Sequence, residues 1–204
     1  MAKASSLPVT VKHRIGIDDL DSDERLTDFV DRVAMAGASR FSVHARKAWL
    51  DGLDPKQNRT IPPLQHDRVQ ALKRRRPHLT IELNGGLESP DDCLQALAHC
   101  DGAMVGRAAY AHPLRWASMD NLVFGEPARK VLASDVVSGL IPHAYAHLSR
   151  GGRLWDLCRH LVQLVEGVRG ARHWRRELGE RAQRPGADLT VLEEAGRQLR
   201  DAGL

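Results

Sequence analysis

Residues 41–59 read FSVHARKAWLDGLDPKQNR, and the rest of the chain is organised around them. Phe41 and Val43 flank Ser42 in strand-like alternation, so a short strand ends near His44. A polar loop follows, carrying Arg46, Lys47, Trp49, Gly52, Asp54, Pro55, Lys56, Asn58 and Arg59. A basic loop of this kind is ordinarily solvated surface. What sets this one apart is its particular order of residues after His44.

On the N-terminal side, Pro8-Val9-Thr10-Val11-Lys12-His13-Arg14 alternates and is β-branched, which predicts a strand over 8–13. Asp18–Ser22 reads as a loop. Asp21 is placed to cap a helix, with Glu24 in capping-box position. Leu26, Phe29, Val30 and Val33 recur at helical spacing and predict a helix over 22–36. On the C-terminal side, His66–Arg75 reads as a short basic helix stopped by Pro77. Leu79–Leu83 is a third strand, ending in Asn84-Gly85-Gly86. Ser89 or Asp91 starts a helix through Leu94, Leu97 and Ala98. Gly102–Val105 is a fourth strand, ending in Gly106-Arg107.

Strand–helix alternation with short turns predicts parallel strands and right-handed βα units. A doubly wound sheet and a (β/α)₈ barrel both satisfy it. The polar residues decide for the barrel. Lys12, His44, Asn84 and Arg107 each fall at or just after the C-terminal end of a different strand, the face on which a barrel carries its site. Asn84-Gly85-Gly86 and Gly106-Arg107 then read as phosphate loops, since glycine lets backbone N–H groups approach phosphate oxygens. Singly, each is equally an ordinary tight turn.

Glu126-Pro127 marks a change of pattern, dividing the chain into domains at 1–126 and 127–204. Beyond it every periodic segment is helical. Ser134 is placed to cap a helix through Val136, Val137, Leu140, Ile141 and Leu148, bent or broken at Pro142 and ended by Gly151-Gly152. Leu154, Leu157, Cys158, Leu161 and Val165 form the stripe of the next helix. Ala171–Arg181 follows, then a helix capped by Asp188 with Val191, Leu192, Ala195 and Leu199. Between Arg169 and Arg184 there are six arginines and two glutamates, a local basic patch.

Composition sets the bounds. At 204 residues, 42% hydrophobic and 27% charged, the chain suits a packed fold. No run of eighteen apolar residues exists to span a membrane, and Met1–Ser6 lacks the apolar core of a secretory signal. Cys93, Cys100 and Cys158 show neither CxxC spacing nor a disulfide framework, which predicts a reducing cytoplasm and no zinc site. A net charge of +4 hints at a polyanionic partner.

His44-Ala45-Arg46-Lys47-Ala48-Trp49, then Gly52-Leu53, Asn58-Arg59 and Ile61-Pro62-Pro63, resembles the loop of the tRNA-dihydrouridine synthases, A-type branch. Val11-Lys12-His13-Arg14-Ile15-Gly16, Asn84-Gly85-Gly86, Val105-Gly106-Arg107-Ala108-Ala109-Tyr110 and Gly170-Ala171-Arg172-His173-Trp174-Arg175-Arg176 resemble further blocks in the same order. The likeness runs from about Leu7 to Leu192. It implies an α/β fold, a (β/α)₈ TIM barrel with FMN at its C-terminal mouth, followed by an all-α helical tRNA-binding bundle. It implies reduction of D-loop uridine in tRNA, with NADPH as reductant.

Carried over residue by residue, the resemblance assigns FMN to Lys12, His44, Asn84, Gly85, Gly86, Gly106 and Arg107. It assigns tRNA to Lys56, Arg59, Arg172 and Arg175. Arg172 and Arg175 lie three apart and so share one helix face. The plain alternatives are a rim salt bridge for Lys12, a core histidine for His44 and bundle packing for Trp174. The family begins with about half a barrel before the equivalent of Leu7, and that half carries the cysteine that protonates the reduced uracil. No catalytic residue is therefore assigned here: none of Cys93, Cys100 and Cys158 sits where it could substitute. The expectation is about four C-terminal βα units of a barrel and no activity from this chain alone. A tRNA-binding module without chemistry and a different FMN-dependent barrel oxidoreductase are the competing functions.

Overall fold

The computed structural model describes residues 2–4, 6–168 and 170–204. Arg169, counted in the arginine-rich run above, lies outside the described residues. The chain forms two compact units, Met1–Gly106 and Arg107–Leu204. They part ahead of the composition change at Glu126-Pro127.

In the first unit, β1 (Thr10–Arg14), β2 (Arg40–His44), β3 (Thr80–Asn84) and β4 (Gly102–Met104) alternate with α1 (Asp23–Met35), α2 (His66–Arg75) and α3 (Pro90–Leu97). The four strands pair in sequential order, all parallel. The register runs straight across: Arg14, His44, Asn84 and Met104 share one level, and Lys12, Ser42, Glu82 and Gly102 the level below. Side chains alternate along a strand, so both levels present the same face of the sheet. That face is polar. The opposite face carries Val11, His13, Phe41, Val43, Ile81 and Leu83. Phe41, Val43, Ile81 and Leu83 are buried, together with Val30 of α1, Val69 and Leu72 of α2, and Cys93 and Ala96 of α3.

β1 and β3 each end one residue later than their alternation suggests, at Arg14 and Asn84. Both residues are held in the ladder by pairing with His44, a partner that local sequence does not reveal. Ser22 rather than Asp21 caps α1, accepting from Arg25 N at 3.3 Å. Asp21 is drawn away by Lys47 Nζ, at 3.0 Å from its carboxylate. Ser89 caps α3 with a full capping box: its hydroxyl accepts from Asp92 N, and the Asp92 carboxylate accepts from Ser89 N. Arg68 to Asp23 and Arg76 to Asp31 tie α1 to α2 at 2.7 and 2.6 Å. These pairs are partly exposed and contribute only modestly to stability.

His13 lies on the apolar face. Its ring stands 4.9 Å from Phe29 and 6.0 Å from Phe41. Nδ1 donates to the Arg14 carbonyl at 2.8 Å, and Nε2 is buried without a partner. Burial foremost, and then the charge of Lys12, hold its pKa below the ordinary histidine value, against the raising effect of the Arg14 carbonyl. The unfolded chain therefore takes up the proton first as pH falls through about 6.5. This contribution to stability is present above that pH and is lost as pH drops toward the folded value. The urea midpoint is expected to fall between about pH 7.5 and 5.5, and His13→Phe to remove that step. Asp23 and Asp31, held low by Arg68 and Arg76, act only below about pH 4. An unchanged step in the variant would assign it elsewhere.

The second unit has no strand among its described residues. It comprises α4 (Arg107–Ala111), α5 (Met119–Phe124), α6 (Ala133–Ser149), α7 (Trp155–Cys158), α8 (Ala171–Arg181) and α9 (Leu189–Asp201). Its core gathers Val137, Ala144, Leu154, Cys158, Trp174, Leu178, Leu192 and Leu199. Gly196 allows α9 to approach α6, since a Cβ there would stand 3.0 Å from Val137 Cγ1.

One local expectation is narrowed and two are corrected. Of the two alternatives at Pro142, a break is set aside, since α6 runs through it; Ala144, two residues on, is fully buried and anchors the helix despite the missing N–H. Ser134 is not its cap but a buried first-turn residue, and the Asp135 carboxylate instead accepts from Leu132 N at 3.0 Å. The helix expected through Leu161 and Val165 stops at Cys158. There the Leu161 carbonyl takes Leu164 N–H and the Trp174 indole N–H, both at 2.9 Å, closing a tight turn.

Candidate functional site at the strand ends

His44, Asn84 and Lys12 share the polar face of the sheet, the first two on adjacent strands of one level and Lys12 one level below. His44 is the last residue of β2 and is buried. Its ring lies against the turn that follows β3. Gly85 has φ of 108°, and a Cβ there would come within 2.6 Å of His44 Cδ2. Gly86, at φ of 71°, faces a Leu64 methyl. Only glycine holds such a backbone while leaving room for the imidazole. The turn is pinned on both sides: Ala45 N donates to the Asn84 carbonyl at 2.8 Å, and His66 Nε2 donates to the Gly85 carbonyl at 2.7 Å. The Asn84 amide donates to the Met104 carbonyl at 2.7 Å, joining β3 to β4. Gly106 closes this unit in open space and Arg107, exposed, begins the next.

The 45–60 loop is built around three residues that periodicity does not single out. Arg14 Nη1 donates to the carbonyls of Lys47 and Asn58, both at 2.9 Å. The Asn58 side chain accepts from Trp49 N and donates to the Trp49 carbonyl. Asp18, a non-glycine residue at φ of 46°, accepts from Leu50 N at 2.9 Å. The loops after β1 and β2 thus form one rim. Lys56 and Arg59 stand exposed on it.

Burial, then the charges of Arg46 and Arg59, hold the Arg14 guanidinium below its ordinary range. Burial and Arg14 do the same for Lys12. Burial is the leading cause for both, and the neighbouring cations add to it.

None of the cysteines belongs to this face. Cys93 is buried in α3 and Cys100 just before β4, on the N-terminal side of the sheet; Cys158 is buried in α7. Burial pushes the thiols of Cys100 and Cys158 up to about 11. Among the described residues no cluster of histidine, cysteine or carboxylate side chains could hold a metal, and no helix is long and apolar enough to cross a membrane.

In the second unit, Arg172 and Arg175 are exposed on α8, with His173 and Arg176 beside them. Trp174 is buried, and its Nε1–H donates to the Leu161 carbonyl at 2.9 Å. The α8 backbone is therefore fixed by one ring while Arg172, Arg175 and Arg176 face outward.

Parallel βα units with a polar, glycine-turned strand-end face, followed in sequence by a helical unit with exposed arginines, make this an α/β protein. The chain belongs to the dihydrouridine synthase (Dus) family, whose model matches residues 1–199. It is 47% identical over 202 residues to the tRNA-dihydrouridine(20/20a) synthase of Salmonella typhimurium, a match covering 98% of this chain and 61% of that protein. The tRNA-dihydrouridine(20/20a) synthase of Shewanella oneidensis is 47% identical over 195 residues, 96% of this chain and 58% of the relative. That of Vibrio parahaemolyticus is 46% identical over 196 residues, 96% of this chain and 60% of the relative. The chain thus spans about 60% of the length of these curated relatives.

Proposed function

We propose that this chain is the flavin-phosphate and tRNA-holding portion of a tRNA-dihydrouridine synthase. On this reading it contributes four βα units of an FMN-binding (β/α)₈ barrel over 1–126 and a helical tRNA-binding domain over 127–204, acting in the cytoplasm. One observation carries it: Lys12, His44 and Asn84 share a polar face whose Gly85 turn is packed on the His44 ring, in a chain of the Dus family.

The residues fit FMN. Gly85 and Gly86 form a cradle that a Cβ would fill. Gly106 and Arg107 are the second glycine turn and the guanidinium suited to phosphate. Lys12 supplies a cation for a ring carbonyl or reduced N1, while His44 and Asn84 supply hydrogen-bonding groups beside it. When bound, the flavin supplies two-electron reduction of uracil, with NADPH as reductant. Lys56, Arg59, Arg172 and Arg175 hold the tRNA backbone by charge, an attraction indifferent to sequence. Completing the reduction requires a proton donor, and the cysteines of this chain are buried away from the strand ends. The chain alone therefore holds substrate without converting it.

The test pairs tRNA titration at two salt concentrations with a dihydrouridine assay on the same preparation. Binding is expected to weaken steeply with salt. Arg172→Ala with Arg175→Ala should weaken it further and flatten the slope by about two phosphate contacts. Salt-insensitive binding, or none, would remove the tRNA reading. Dihydrouridine formed by these 204 residues alone would overturn the division of labour. Flavin absorbance after purification separates this reading from tRNA binding without a cofactor.

A further inference from the structure

The helical unit carries a second surface outside the arginine face of α8. Tyr110, in α4, is 55% exposed. Its ring meets the His160 imidazole edge-on, with centroids 5.8 Å apart and planes at 79°. Tyr110 Oη lies 2.9 Å from His160 Nδ1, and Arg159 Nε donates to His160 Nε2 at 3.1 Å. Arg159 and His160 are exposed as well.

The bonding fixes the protons. Nε2 accepts from Arg159, so it carries a lone pair. In a neutral imidazole the proton must then reside on Nδ1, which donates to Tyr110 Oη. The tyrosine hydroxyl already accepts from within the protein, and its own proton is left to point outward. Arg159 has used one of its five N–H donors on His160. The result is an exposed aromatic face, a hydroxyl donor and a guanidinium, held in line by hydrogen bonds. That combination matches the parts of a nucleic-acid strand: a base to stack, an acceptor oxygen and a phosphate. The segment is also tied to α8, because Leu161, next after His160, accepts the Trp174 indole N–H two residues from Arg172.

We propose that Tyr110, His160 and Arg159 form a further RNA contact: Tyr110 stacks an unpaired base of the tRNA and donates its hydroxyl to it or its ribose, His160 orients that hydroxyl, and Arg159 faces a backbone phosphate. The inference rests on the tRNA reading above and extends it to a stacking platform on the helical unit.

The experiment titrates the full chain with tRNA at several salt concentrations, alongside Tyr110→Ala, Tyr110→Phe and Arg159→Ala. Tyr110→Ala should weaken binding by about 5- to 100-fold with the salt slope unchanged, because stacking displaces no counterions. Tyr110→Phe keeps the ring and its packing and should lose only the hydroxyl's share, about 2- to 10-fold. Arg159→Ala should lower the slope by about one phosphate contact. If the wild type binds and the Arg172/Arg175 pair matters, yet all three variants bind like the wild type, the platform is wrong and the tRNA reading stands. A Tyr110→Ala that flattens the slope would likewise overturn the stacking role. A wild type that shows no salt-dependent binding overturns the platform together with the reading beneath it.

Discussion

Trp174→Ala is expected to destabilise the chain by about 3–5 kcal/mol, the range for emptying a buried aromatic site. Trp174 is only 4% exposed and packs among Leu154, Cys158, Leu178 and Leu192 in the core of the helical unit. Its loss leaves a cavity on the inner side of α8. It also removes the indole N–H from the Leu161 carbonyl, which retains the bond from Leu164 N. The consequence reaches function through position: α8 carries Arg172 and Arg175, and this ring fixes their helix. Trp174→Phe separates the two contributions. It keeps most of the apolar volume and loses one neutral hydrogen bond, so about 1–2 kcal/mol is expected, with tRNA binding near the wild type. Urea unfolding and tRNA titration on both variants provide the check. A loss below about 1 kcal/mol in Trp174→Ala would show that the ring does not anchor the helix.

Gly85→Ala is expected to disrupt the strand-end face at His44. Two costs combine. The backbone at φ of 108° is strained for any residue with a Cβ, by about 1–3 kcal/mol. The added Cβ would also meet the His44 ring at 2.6 Å, so either the imidazole or the turn must move. Gly37 provides the control. Its φ is 104°, and a Cβ there meets nothing within 4 Å, so Gly37→Ala incurs the backbone cost alone. The difference between the variants in thermal unfolding measures the collision with His44. FMN titration should show at least about a tenfold loss for Gly85→Ala and little for Gly37→Ala, which lies at the other end of the strands. Equal stabilities would mean that His44 has room to yield. Equal FMN affinities would mean that the turn does not hold the cofactor.

Local chemistry made much of this protein readable from residue order. Alternation at 40–44 and the βα rhythm required parallel strands, and the register confirmed them as neighbours in sequence order. Ser89, one of the two starts offered for its helix, Asp188 before Leu189, and Gly151 after Ser149 marked helix ends, because capping involves groups within a few residues. Lys12, His44 and Asn84 could be assigned to one face because side chains alternate along a strand and parallel strands end on the same side. The tertiary structure alone decided what depends on partners far along the chain. Lys47 took the Asp21 carboxylate, Arg14 became the clasp of a loop by bonding Lys47, 33 residues later, and the stripe from Leu154 to Val165 stopped being a helix at Cys158, ahead of the turn whose Leu161 carbonyl takes an indole N–H from α8. Tyr110 and His160, 50 residues apart, became a pair. A hydrogen-bonding group accepts whichever partner the folded chain delivers, and residue spacing records only the partners within a turn or two.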